Sequence, residues 1–207
     1  MFKLNVLILV LFILFSNSIF SQDKVITNPN ATVQTNIQDR GGEFSLIGTT
    51  SNGELGWVSL SDFKGKVVAI YFGYTKCPDV CPTNLSFLSN AIAQLSPAEK
   101  ENFQSIFISV DPGRDTQEVL GSYVKYFDDQ MIGLSAAPDD LDPVVAQYGA
   151  YYEKVPFSNS ALMYGIDHTS ETYIVGKDGK LVAILNHATP SKIILQKIRE
   201  AIKLKNE

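Results

Sequence analysis

The stretch YFGYTKCPDVCPTNL, from Tyr71 to Leu85, carries both cysteines of the 207-residue chain, Cys77 and Cys81, four positions apart and each followed by a proline. Thiols at this spacing serve one of three chemistries: a structural disulfide, a redox couple, or a pair of soft ligands for a metal ion. A staple across four residues closes a tiny loop and restricts the unfolded chain little. A domain of this size also buries enough surface without one, so the purely structural disulfide is set aside. The spacer Pro78-Asp79-Val80 is one residue longer than that of the C-x-x-C redox motif, which lets both sulfurs wrap around one atom. Two thiolates suit monovalent copper, and one imidazole would complete a trigonal set of two sulfurs and a nitrogen.

The chain holds two histidines. His168, in YGIDHT, is flanked by Asp167 and Thr169, either of which can orient an imidazole by a hydrogen bond. His187, in LNHA, reads as a surface or capping residue. The elements that must position these groups are visible around them. Val67 to Phe72 is a continuous β-branched and aromatic run of the kind that forms a buried strand. Pro82 suits the first position of a helix, whose apolar face is Leu85, Leu88, Ile92 and Leu95, with Cys81 as its cap. A sulfur there feels the helix dipole, which favours thiolate. Redox chemistry and metal binding both need thiolate, so position alone does not separate them.

Further along, Phe44–Ile47 and Gly56–Leu60 read as two strands about a turn at Ser51-Asn52-Gly53. Ile106–Val110 reads as a buried strand. Asp115-Thr116-Gln117-Glu118 has the capping-box form and opens a second helix. A third helix is expected over Asp140–Tyr148, a strand over Ala150–Val155, and a hairpin over Glu171–Val175 and Leu181–Leu185 around Lys177-Asp178-Gly179. Tyr164–Ser170 reads as a loop. A last helix opens at Ser191. This alternation specifies an α/β domain with a mixed central sheet flanked by helices and an N-terminal hairpin.

YFGYTKCPDVCPTNL, the later FISVDPGRDT (Phe107–Thr116) and the DHT of Asp167–Thr169 together resemble the Sco/SenC family of copper-binding assembly proteins, in order and in spacing. The resemblance implies a thioredoxin-like fold over residues 44–207. It implies one copper, monovalent or divalent, held by Cys77, Cys81 and His168; Asp167, from its place beside the histidine, and Asp79, which matches the family pattern between the cysteines, are the expected supporting partners. The same cysteines are the candidate redox-active disulfide. It implies a partner, the copper-centre subunit of cytochrome c oxidase or another cuproprotein, to which copper is delivered or whose cysteines are kept reduced, and a thioredoxin-like reductant as a further partner. Asp111 and Asp115 match the family pattern too, but a loop hydrogen bond and a helix cap are the simpler readings of them. The rival is a thiol–disulfide oxidoreductase. Such enzymes commonly set a cis-proline against the redox cysteines; here no proline lies between Pro156 and Pro190, and His168 occupies that region. A metallochaperone rather than an enzyme is therefore expected.

Composition bounds the rest. A hydrophobic fraction of 45% and a charged fraction of 19% are those of a globular protein. A net charge of -5, with no run of lysine or arginine, excludes a nucleic-acid partner. The N-terminus has the three-part layout of a secretory signal: Lys3, an apolar run from Val6 to Phe15, and small residues up to Ser21. Residues 1–21 are accordingly expected to be removed, an uncleaved anchor being the alternative, and residues 22–43 to form a polar linker. The mature protein would be periplasmic, soluble or peripherally attached to the membrane.

Overall fold

The computed structural model describes residues 37–49, 53–158 and 163–204. The expected signal, most of the expected linker, and Ser51-Asn52 of the expected turn lie outside the described residues.

Strands β1 (Ser45–Thr49) and β2 (Leu55–Ser59) form the N-terminal hairpin, in register from Ser45 opposite Ser59 to Thr49 opposite Leu55. Strand β3 (Val67–Gly73) is buried along its whole length, as its unbroken apolar run requires. Helix α1 (Val80–Ile92) and the short α2 (Pro97–Glu101) carry the chain to β4 (Phe103–Ser109), equally buried and parallel to β3. Helix α3 (Gln117–Lys125) leads to β5 (Ile132–Ser135), parallel to β4, and α4 (Pro138–Gln147) follows. Strands β6 (Tyr152–Pro156) and β7 (Tyr164–His168) pair as a hairpin of their own. Then come β8 (Thr172–Val175), β9 (Leu181–Leu185) and α5 (Ser191–Lys203), which packs on α1.

Among the described residues the main sheet has seven strands in the order β2-β1-β5-β4-β3-β8-β9. It is mixed: the central β3-β4-β5 are parallel, and β1 and β8 run antiparallel to their neighbours. The expected α/β architecture with an N-terminal hairpin is what forms. The mixed character also positions the site. β3 runs towards its C-terminal edge while β8 starts from that edge, with Tyr71 opposite Thr172. The segment just before β8 is thus delivered beside the segment just after β3. Those two segments carry His168 and the cysteines.

Three local expectations are corrected. Helix α1 begins at Val80, with Asp79 as N-cap, so Pro82 sits at its third position and Cys81 at its second. Proline is tolerated there because the first four N–H groups of a helix have no partner within it. Helix α3 is capped by Thr116, whose hydroxyl accepts from the Val119 N–H, and not by Asp115. Tyr164–His168 is a strand rather than a loop. The polar arm, finally, is tied down at its described end. Arg40 donates to the carbonyls of Tyr148 at 2.8 Å and Gly149 at 2.9 Å, capping the C-terminus of α4.

Candidate metal centre

Cys77, Cys81 and His168 converge: one ligand atom from each lies within 4.8 Å of the other two. His168 Nε2 stands 3.3 Å from Cys81 Sγ and 4.0 Å from Cys77 Sγ. A triangle with corners about 4 Å apart has its centre about 2.3 Å from each, the length of a metal–thiolate bond. The imidazole is prepared for this role. Its Nδ1 lies 2.8 Å from the Thr169 carbonyl oxygen, which can only accept. Nδ1 therefore carries the proton, and the Nε2 lone pair is left facing the sulfurs. The Tyr71 and Tyr74 rings meet the imidazole edge-on, with centroids 6.4 Å and 5.7 Å away.

This arrangement corrects the expected role of Asp167. Successive side chains of a strand point to opposite faces, so Asp167, next to His168 in β7, is exposed and pairs across the hairpin with Glu153. The imidazole is held by a backbone carbonyl instead. Asp79 supports the site through its backbone. Its N–H is directed at the Cys77 sulfur, while its carboxylate accepts from the Thr83 hydroxyl.

The two cysteines differ in the opposite sense from the expectation that Cys81 caps the helix. The Cys77 sulfur stands at the start of α1 and accepts from the Cys81 N–H at 3.4 Å. A hydrogen bond from the Cys81 thiol lowers the pKa of Cys77 to about 4, with further help from the backbone N–H groups of Cys81 and Asp79. Burial pushes Cys81 up, and the neighbouring Cys77 thiolate adds to this. The two sulfurs are therefore unlike, Cys77 a thiolate and Cys81 a thiol, beside an imidazole that presents Nε2. Cys77 is 8% exposed and Cys81 0%, with the half-buried His168 beside them, so one side of the donor triangle is reachable from solvent.

The second motif braces the site. Asp115 is buried, and accepts from the Thr75 N–H at 3.0 Å, the Thr75 hydroxyl at 2.6 Å and the Ser109 hydroxyl at 2.6 Å. It fastens the cysteine loop to the end of β4. Asp111, also buried, pairs with Arg114 and accepts from the Tyr164 hydroxyl at 2.7 Å. Arg114 donates to the Tyr164 carbonyl at 2.9 Å and lies 3.7 Å over its ring. These contacts anchor the first residue of β7. Tyr74 holds its middle, its hydroxyl accepting from the Ile166 N–H at 3.3 Å. Both aspartates are thus scaffold, and neither belongs to the cluster of ligand atoms.

Sequence reasoning missed four residues that shape the site: Gly73, Asn84, Arg114 and Tyr164. Asn84 had a signal, since it interrupts the apolar stripe of α1 between Cys81 and Leu85. His187 is exposed and stands apart from the donor cluster among the described residues.

The donor set, two sulfurs and a neutral imidazole nitrogen, fits a soft or borderline ion. Comparison with known proteins agrees with the geometry. The SCO1/SenC family model matches residues 32–203. A SCO2-like protein of Rickettsia prowazekii is 38% identical over 140 residues, which is 68% of this chain and 66% of that protein. The mitochondrial SCO1 homolog of Homo sapiens is 37% identical over 143 residues, 69% of this chain and 46% of that protein. The matches thus span no more than 66% of these two curated relatives. Among solved structures, Bradyrhizobium japonicum ScoI with copper bound is 34% identical with a TM-score of 0.68, covering 78% of this chain and 99% of that one. Yeast Sco1 with copper bound is 29% identical with a TM-score of 0.70, covering 81% and 91%.

Proposed function

Because the chain belongs to the SCO1/SenC family, we propose that it is an exported copper carrier whose cargo sits on Cys77, Cys81 and His168. It would deliver that copper to the binuclear copper centre of cytochrome c oxidase. The observation that carries this reading is the convergence of the three donors, with the imidazole already in the tautomer that presents Nε2. The presence of copper in the related ScoI and Sco1 structures supports it.

The chemistry of a carrier follows from burial. Monovalent copper accepts two thiolates and one imidazole. Binding displaces the Cys81 proton, whereas Cys77 is already thiolate. An acceptor ligand can approach where Cys77 and His168 meet solvent, and the fully buried Cys81 is then the last donor to let go. Keeping a partner's cysteines reduced is the second reading. It draws on the same asymmetry, since Cys77 is poised to attack a disulfide and Cys81 lies beside it to resolve the mixed disulfide.

Anaerobic titration of the reduced protein with monovalent copper tests the carrier reading. About one copper should bind per chain, in keeping with a single soft-ligand cluster, and oxidising Cys77 and Cys81 to a disulfide should abolish binding. Equal binding by the oxidised form would overturn it. Export is proposed from the signal layout. A mature N-terminus near Gln22 in the periplasmic fraction supports it, and Met1 retained in the membrane fraction contradicts it.

A further inference from the structure

Asn84 is buried, 5% exposed, on the same face of α1 as Cys81. Its amide touches three separate segments. Nδ2 donates to the Ser170 carbonyl at 2.6 Å and to the Tyr71 hydroxyl at 3.2 Å, while Oδ1 accepts from the Ala188 N–H at 2.8 Å. Both acceptors lie on the nitrogen side and the backbone donor on the oxygen side. The amide therefore has one satisfied orientation, in which both of its N–H groups are used.

Two of these segments bear on the donor triangle, and the third anchors the amide. Asn84 stands one helical turn beyond Cys81. The Tyr71 hydroxyl shares a hydrogen bond with the Cys81 sulfur. Ser170 directly follows Thr169, whose carbonyl holds the His168 ring. Ala188 adopts a left-handed backbone with φ of 56°, uncommon for a residue with a side chain, and its N–H is restrained by the same amide. One side chain thus joins the helix that carries a sulfur to the turn that follows the imidazole, across 86 positions of sequence.

We infer that Asn84 is a positioning residue that sets the separation between His168 Nε2 and the sulfurs by tying the β7–β8 turn to α1. Its consequence for copper rests on the carrier reading, while its effect on the histidine does not. Losing a direct partner of a metal ligand costs about 10–100-fold in affinity; Asn84 stands one contact further out, so its loss is set at the low end of that range. That cost should fall on the divalent ion, which leans on imidazole, more than on the monovalent ion, which the two sulfurs hold.

The test uses Asn84→Ala, with Ser89→Ala as control. Ser89, on the same helix, donates to the Phe127 carbonyl away from the site, so its loss weakens the fold without touching the donors. The first readout is nitrogen NMR of the His168 ring in the reduced, metal-free protein. The second is the affinity for each copper ion by chelator competition. In Asn84→Ala the His168 Nδ1–H signal should broaden or vanish, and divalent copper affinity should fall about tenfold with monovalent affinity little changed. Ser89→Ala should alter neither. If Asn84→Ala does not fold, Asn84→Ser, which keeps a donor, is read in the same two ways. A retained Nδ1–H signal with both affinities unchanged overturns the inference. So does an equal fall for both ions that Ser89→Ala reproduces. If the unaltered protein binds no copper but Asn84→Ala still loses the Nδ1–H signal, the positioning role stands and the carrier reading falls.

Discussion

Gly73→Ala puts a methyl group into the wall of the metal centre. Gly73 ends β3, and a Cβ built on its backbone would meet Cys81 Sγ at 2.8 Å, Phe107 Cε2 at 3.0 Å and Tyr71 Cε1 at 3.0 Å. Its φ lies outside the left-handed region, so alanine is admissible to the backbone and the obstacle is space alone. Phe107 and Tyr71 are both fully buried and have nowhere to retreat. The sulfur must move by about 0.7 Å or more to restore ordinary contact near 3.5–4.0 Å. Overpacking of this kind costs about 1–3 kcal/mol. The stiffer unfolded chain that alanine brings offsets about 0.4–1 kcal/mol of that. Taking the middle of each range, the balance is a loss of about 1.3 kcal/mol, which for a domain above 150 residues lowers Tm by about 3–5 °C. Calorimetry on the reduced, metal-free protein reads this term. Chelator competition reads the second consequence, a weaker hold on copper, because Cys81 is one corner of the donor triangle. An unchanged Tm together with unchanged copper affinity would refute the argument that this glycine is there to let the sulfur in.

Two further outcomes follow from the electrostatics and the bracing. Thiolate fraction rises with pH through the thiol pKa, and for Cys77 that pKa is held down at about 4. Its alkylation by iodoacetamide in the reduced protein should therefore be nearly flat between pH 5.5 and 8, where an ordinary thiol slows roughly two-hundredfold on acidification; an ordinary slope would contradict the thiolate assignment. Asp115→Asn leaves the Thr75 N–H or one of its hydroxyl donors facing an amide instead of a carboxylate. A hydrogen bond to a charged group contributes about 1.5–3 kcal/mol, so the urea midpoint should fall by a corresponding amount. A shift worth less than about 0.5 kcal/mol, the range of an inert surface change, would show that Asp115 is not a brace.

The parts of this protein that could be read from its residues are those where local pattern and burial agree. The unbroken run Val67–Phe72 could only be an interior strand, and the alternating Leu181–Leu185 around a lysine-aspartate-glycine turn could only be a hairpin. The donor set was legible because so few residues in the chain can bind a soft ion. What escaped was decided by contacts between distant segments. Tyr164–His168 contains a glycine and no clear alternation, yet it is a strand because it pairs with β6 while Asp111, Arg114 and Tyr74 hold its start and middle. Strand β5 is four residues long and exists by virtue of its neighbours β4 and β1. The roles of the cysteines inverted because the helix starts two residues earlier than its proline implied, which turned the Cys81 N–H into a donor to Cys77. Asp167 was assigned to the imidazole by adjacency in sequence, and strand geometry then turned it to the opposite face.

X-ray absorption at the copper edge of the reduced protein, loaded anaerobically with one equivalent of monovalent copper, tests the central claim most directly. The three converging donors require a shell of two sulfurs and one imidazole nitrogen. A shell of sulfur alone, or one without sulfur, would contradict the assignment of Cys77, Cys81 and His168 as the site that carries the metal.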